Sequence, residues 1–290
     1  MAPRLLPGAE PFALEYFEPA ADLREFISSF YLFRADLPRV SDVMRADLAQ
    51  LRFMIAGEGH YRFGDGQTAA TPDIGIVGPT TASCSFEVSG PLMVFGVGLL
   101  PAGWAALVRD DASRFADNVT DATAIFGPIL VDAFDAMRNT ASPGTMVAIA
   151  NAVIRALLGR SAAPPLWFSR LTDAWLTGAA SPEVDQLVAA TGMSARQVER
   201  LARRMYGAPP KLLARKYRAL RAASLIGANG SSWADAAGEA FYDQSHFIRE
   251  FKRFTGLTPL QFQRAPSPVT RLTLQRRALA GRLPALMVMS

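Results

Sequence analysis

Two stretches of this chain follow one plan, and that repetition constrains the fold more than any other feature. They are SPEVDQLVAATGMSARQVERLARRMYGAPP (181–210) and SSWADAAGEAFYDQSHFIREFKRFTGLTP (231–259). Each opens on a Ser placed as a helix N-cap, Ser181 or Ser231, followed by a short apolar-faced helix. A turn follows, then a second helix rich in arginine, then Gly and Pro. That is the sequence form of a helix-turn-helix, written twice. On the later second helix Phe247, Ile248, Phe251 and Phe254 share one side, with Ser245, His246, Arg249, Lys252 and Arg253 opposite. On the earlier one Val198, Leu201, Ala202 and Met205 make the apolar stripe, and Arg196, Arg200, Arg203 and Arg204 face away. Between the two units, KLLARKYRALRAASLI (211–226) reads as one long helix that joins them.

The charge distribution agrees with a cationic face directed outward. Residues 1–165 carry 12 Arg/Lys against 18 Asp/Glu, and residues 166–290 carry 18 against 8. A basic module for a polyanion is thus joined to an acidic module with another task. Cys84 is the single cysteine, so no internal disulfide framework exists and a reducing cytoplasm is expected. The first residues, MAPRLLPGAEPFALEYF, hold no continuous apolar run of the kind a secretory signal needs. The 21 uncharged residues 88–108 would be long enough to span a membrane, but Gly and Pro interrupt them. A buried strand over Leu92–Leu100, a turn at Pro101 and a short helix from Ala102 are expected instead, with no membrane partner.

Residues from about 10 to 100 read as short strands divided by Gly, Pro and Ser turns, with Gly64-Asp65-Gly66 making a hairpin. From Pro101 to Arg160 the spacing predicts helices. Ser161-Ala-Ala-Pro-Pro165 is the expected linker, where the charge balance changes sign. The fold class expected is α+β: an N-terminal β-rich sandwich with helices, then an all-α domain holding both helix-turn-helix units. The division expected is 1–160, a linker at 161–165, a DNA-binding domain over 166–264, and a basic and apolar tail over 265–290.

Residues 181–264 resemble the DNA-binding domain of the AraC/XylS family of transcription regulators. DQSHFIREFKRFTGLTPLQFQR (243–264) carries the resemblance most specifically, and GMSARQVERLARRMYGAPPKLL (192–213) less sharply. The N-terminal part resembles the cupin-like sensor region of such regulators, and residues 96–127 the stretch joining sensor to helices. Two positions depart from the pattern: Ala240 stands where Gly is usual, and Val188 where Ala is common. The resemblance implies two recognition helices entering successive major grooves of double-stranded DNA, about 34 Å apart. It implies base contacts from Arg196, Glu199 and Arg200 in the first helix, and from Gln244, Ser245, His246 and Arg249 in the second. Arg200 and Arg249 suit guanine, Gln244 adenine, and Glu199 cytosine. Ser194, Arg203, Arg204, Lys252 and Arg253 are expected on phosphates. Further implied partners are a small-molecule effector or other partner acting on the N-terminal domain, a second copy of the chain, and RNA polymerase if the protein activates. Arg200 has a structural alternative, an ion pair with Glu183 or Asp185.

Enzymatic readings find less support. Asp243, Ser245 and His246 lie within one helical turn and leave no separate oxyanion site, so no catalytic triad is expected. Asp243 is placed as an N-cap. His60 and His246 are the only histidines, too few for a cupin metal site, so neither metal nor cofactor is expected. The alternative function is a DNA-targeted enzyme or an alkylation-repair protein using Cys84, although TTASCSFEV supplies no activating base. Arg45, Arg52, Phe53, Tyr61, Arg62 and Trp104 are candidates to line an effector pocket, against a plain core role for the aromatics.

Overall fold

A computed structural model of the chain describes residues 11–159, 164–229, 241 and 243–290. Its first half is one antiparallel sheet of eight strands: β1 (Phe12–Phe17), β2 (Ile27–Ala35), β3 (Arg39–Met44), β4 (Ala49–Arg62), β5 (Thr68–Ala70), β6 (Ile74–Val77), β7 (Cys84–Leu99) and β8 (Val119–Asp121). The order is β1-β2-β7-β4-β6-β8, with β3 also on β7 and β5 also on β4. The long β7 is the spine. Its end from Leu92 to Leu99 pairs with β2, its start from Cys84 to Ser89 pairs with β3, and β4 runs along its other edge. One strand serving two neighbours in succession bends the sheet into a cup.

Alternation along the strands sorts the side chains between two faces. Phe30 and Leu32 of β2, with Phe95, Val97 and Leu99 of β7, point to the outer face. There α1 (Pro101–Leu107), α2 (Thr123–Phe126), α3 (Ile129–Arg138) and α4 (Pro143–Leu158) cover them, through Trp104, Leu130, Met137 and Ile154. Tyr31 and Phe33 of β2, with Leu92 and Val94 of β7, point into the cup. The helical reading of 101–160 needs one correction. Val119 and Thr120, both stiff at χ1 and suited to strands, form β8 on the free edge of β6.

The second half is helical: α5 (Leu166–Gly178), α6 (Val184–Thr191), α7 (Ala195–Tyr206), α8 (Pro210–Asn229), α9 (Gln244–Thr255) and α10 (Pro259–Arg264). Ser161–Ala163 of the expected linker lie outside the described residues, as do Ser231, the short helix expected after it, and Ala240. Ser181 does not cap α6. The helix begins two residues later, behind Glu183, whose extended backbone is held where Trp175 Nε1 donates to its carbonyl at 2.8 Å. Val188 is half-buried against the first helical core. The helix α8 is shared by both units. Leu213 and Tyr217 pack with Val198 and Met205, whereas Ala222, Ala223 and Ile226 pack with Phe247, Phe251 and Phe262.

The two halves are bonded to each other. The Ala46 amide donates to the Phe254 carbonyl at 2.7 Å, and the Ser83 amide to that of Arg253 at 2.8 Å. Lys216, buried, donates its Nζ to the carbonyls of Asp47 (2.7 Å) and Thr80 (2.9 Å). After α10 the chain returns to the sheet as α11 (Pro268–Leu274) and α12 (Ala285–Met289). The Val269 amide donates to the Asp42 carboxylate at 2.8 Å. Leu283, Leu286 and Met287 fill a core made by Leu48 and Leu100 on one side and Phe168 and Tyr217 on the other.

Candidate functional site

The helices α7 and α9 are built alike. Ser194 caps α7, accepting from the Gln197 amide while Gln197 Oε1 accepts from the Ser194 amide, a reciprocal capping box. Asp243 caps α9, its carboxylate accepting from the His246 amide at 2.7 Å. Both helices end on a left-handed glycine, Gly207 (φ 78°) or Gly256 (φ 81°), a backbone state glycine adopts without steric cost. Val198, Ala202 and Met205 of α7 and Phe247, Phe251 and Phe254 of α9 are buried. The opposite faces are exposed: Arg196, Glu199, Arg200, Arg203 and Arg204 on one helix, Gln244, Ser245, Arg249, Lys252 and Arg253 on the other. The N-terminal amides of each helix lie at the same exposed ends, where they favour anions.

Two candidate residues are placed differently from their neighbours. Glu199 is hydrogen-bonded to Arg203 one turn on, at 3.0 and 2.8 Å, in an exposed pair. Such a pair opens cheaply. Among the described residues neither Glu183 nor Asp185 pairs with Arg200. His246 is half-buried, its ring 6.0 Å from that of Phe241, and its buried Nδ1 has no hydrogen-bond partner among the described residues. The imidazole thus leans onto the helix bundle instead of standing free. Sequence reasoning missed the group that fixes α9: Glu250, buried, takes Arg215 of α8 in two bonds of 2.7 Å each. Its signal was available as an acid one position from the apolar stripe of α9.

The concave side of the sheet opens on a cavity with about 100 Å³ of water-accessible space. Leu14, Phe33, Met54, Phe86 and Val94 give it apolar walls. Of the pocket candidates, Arg45, Arg52 and Tyr61 line it, whereas Phe53 and Trp104 belong to the outer core and Arg62 is exposed. Gln50, Arg52 and Met54 of β4 face inward at even positions, but Tyr61 does so at an odd one. The two register shifts of β4 against β7, at Met54/Ala56 and Ala56/Glu58, change the parity. Tyr61 OH thereby reaches Arg52, which donates to it at 2.8 Å. Gly96 faces Tyr31 across the ladder; a Cβ there would lie 2.0 Å from the ring. Its absence lets the Tyr31 hydroxyl donate to Gln50 Oε1 at 2.6 Å.

At one end of the cavity Arg276 is buried between Tyr16 and Asp47. It donates Nε to the Tyr16 hydroxyl at 2.7 Å, and Nη1 to Asp47 Oδ2 at 2.9 Å and to the Ser290 carbonyl at 3.0 Å. Arg45 reaches the same Ser290 oxygen at 2.8 Å. Burial alone pushes the Asp47 carboxyl up, but Arg276, the Leu48 amide and Lys216 together outweigh it and hold the group below the usual carboxylate range. Cys84 also lines the cavity, and burial pushes its thiol up to about 12. A sulfur held as the thiol is a poor nucleophile, against the alkylation-repair reading. Among the described residues no group of three His, Cys, Asp or Glu side chains converges, and no helix is long and apolar enough to cross a membrane.

Residues 187–265 match the family model of a helix-turn-helix domain, and residues 15–121 match that of a domain of unknown function. Among proteins of curated function, none matches the sequence. Similar solved structures include ToxT from Vibrio cholerae, 8% identical, covering 88% of this chain and 98% of that one with a TM-score of 0.48. The AraC-like transcriptional activator CuxR is 12% identical and covers 69% of this chain and 78% of that one, with a TM-score of 0.33.

Proposed function

We infer that this chain, a DNA-binding transcription regulator with an AraC-type helix-turn-helix domain, reads specific sequences by laying α7 and α9 into successive major grooves. The observation that carries the reading is the pairing of two capped helices, each with an apolar face buried and a cationic face exposed, on one shared helix. The 20 residues of α8 span about 30 Å at the usual helical rise, close to one turn of the duplex. In this reading Arg196, Arg200 and Arg249 reach base edges, with Gln244 and Ser245 beside them. Glu199 leaves Arg203 to accept from a base, and Arg203, freed, joins Arg204, Lys252, Arg253 and the capped start of α7 at Ser194 on phosphates. His246 would turn off Phe241 to take part.

The cavity in the β domain is the expected place for an effector, and a small molecule there acts by binding one arrangement of the two halves better than another. The reading includes a second copy of the chain on DNA, and contact with RNA polymerase if the protein activates.

The test is selection of bound duplexes from a random pool at physiological salt, using the full chain and the double variant Arg200→Ala/Arg249→Ala. Two short boxes about one helical turn apart are expected, blurred or lost in the variant. Binding without any enriched sequence, falling steeply with salt, would refute sequence-specific reading.

A further inference from the structure

The cavity has a charge balance that its walls do not close. Three guanidinium groups line it, those of Arg45, Arg52 and Arg276, against one carboxylate, Asp47. Asp47 is committed to Arg276, and whatever charge the Ser290 oxygen carries goes to Arg276 and Arg45. That leaves Arg52. Its Nε and Nη2 donate to Gln50 Oε1 at 3.0 and 2.7 Å, its Nη1 to the Tyr61 hydroxyl, and its Nη2 makes a weak contact of 3.4 Å with the Met44 sulfur. Every one of these partners is neutral. Gln50 in turn donates to Asp47 at 3.0 Å, so an amide stands between Arg52 and the carboxylate. A cation drawn out of water into an apolar cup, with no anion beside it, is an unfavourable arrangement that a ligand anion would relieve. Around it the wall is Phe33, Phe86, Val88 and Val94 on the sheet, and Val269 and Thr273 on α11.

Resting on the reading of this cavity as an effector site, we propose that it binds an apolar organic molecule bearing one anionic group, with Arg52 as the counter-charge and the segment that follows the helix-turn-helix domain as one wall. The anion sits on the Arg52 guanidinium, where a carboxylate accepts from Nη2 in place of the sulfur contact, and the apolar body lies against the Phe and Val side chains. The wall formed by Val269, Thr273 and Arg276 gives occupancy a route to the DNA-binding half. It touches the ligand, it is tied to the sheet through Asp42 and Asp47, and it continues directly from α10. An occupant that fills the cup therefore presses on α11, which forms part of its wall.

The experiment is calorimetric titration of the full chain with three matched probes: phenylbutyrate, phenylbutanol and phenylbutylamine. Phenylbutyrate is expected to bind at least about tenfold more tightly than the alcohol, and the amine not at all. Arg52→Gln is expected to erase the preference for the acid while leaving the alcohol's affinity in place, and Arg52→Lys to restore most of it. Val269→Trp, which fills the wall side, is expected to abolish binding of acid and alcohol alike. Thermal melts of each variant accompany the titrations, and Arg52→Met takes the place of an Arg52→Gln protein that does not fold. Equal affinity for acid and alcohol, a preference that survives Arg52→Gln, or no binding of any probe overturns the proposal. The effector reading fails separately: tight, Arg52-dependent binding of the acid with no change in DNA affinity removes regulation and keeps the ligand class.

Discussion

Arg276 and Asp47 are 229 positions apart in the chain and 2.9 Å apart in the fold, and both are shielded from solvent. Removing one partner of such a pair strands the other charge, at a cost of about 3–5 kcal/mol, whereas replacing both by apolar groups costs far less. Arg276→Met and Asp47→Asn should each lower the denaturant midpoint strongly, and the double variant should recover much of the loss. Additive losses would show that the contact is not coupled.

Asp173 offers a pH test. Tyr206 donates to its carboxylate at 2.5 Å, but burial dominates and pushes the carboxyl up to about 7. A raised carboxyl binds its proton more tightly in the folded state, so its stabilisation is complete below its ordinary value of 3.8 and is lost as pH rises through about 7. Melting temperatures from pH 4 to 8 should fall along this window. Asp173→Asn, which keeps an acceptor for Tyr206, should flatten the profile and raise stability at pH 8 by on the order of a few kcal/mol.

Arg249 and Lys252 stand on one face of α9, yet different losses are expected. Arg249→Ala should cost about 1–3 kcal/mol on the selected sequence and relax preference at one base position. Lys252→Ala should weaken binding evenly across sequences and reduce the salt slope by about one. Fluorescence titrations at several salt concentrations, on matched and mismatched duplexes, separate the two. An even loss for Arg249 would move it to the phosphates.

Gly96→Ala places a methyl group where the Tyr31 ring lies. Overpacking of this kind costs about 1–3 kcal/mol, and here it also pushes the Tyr31 hydroxyl away from Gln50. The measurable outcome is a lower melting temperature together with weaker phenylbutyrate binding. A variant that melts like the parent would show that the ring has room to move.

The exposed cationic faces of α7 and α9 were legible in the sequence because amphipathic helices declare themselves locally: the Phe247–Phe251–Phe254 stripe needs no partner to be recognised. The hairpin after Arg62 was legible for the same reason. The strand expected from Leu92, however, runs back through Gly90 and Pro91 to Cys84, and Pro101 is the first residue of α1, a position its fixed φ suits, and not a turn before it. The cavity was not legible. Whether Arg52 and Tyr61 meet depends on register shifts in β4, and those are settled by the pairing with β7, a strand more than twenty residues further on. Arg276 read only as one of the basic residues of the tail over 265–290, because nothing near it in sequence reveals Asp47 or Tyr16 across the fold. Glu183 displaced Ser181 at the start of α6 through a contact with Trp175 of the preceding helix, which no local pattern announces. Arg215 and Glu250 lie 35 positions apart on two different helices, and nothing beside either in the sequence names the other.

On the proposed reading, the sharing of α8 by α7 and α9 turns a matter of protein length into one of operator design. Adding a single residue within α8 would advance one reading head by about 1.5 Å and swing it by about 100° against the other, enough to take it out of its groove. Small insertions and deletions there are therefore closed to evolution as a way of adjusting box spacing. A regulator built like this can drift to new target sequences one side chain at a time, while the separation of its two boxes stays as rigid as the helix between them.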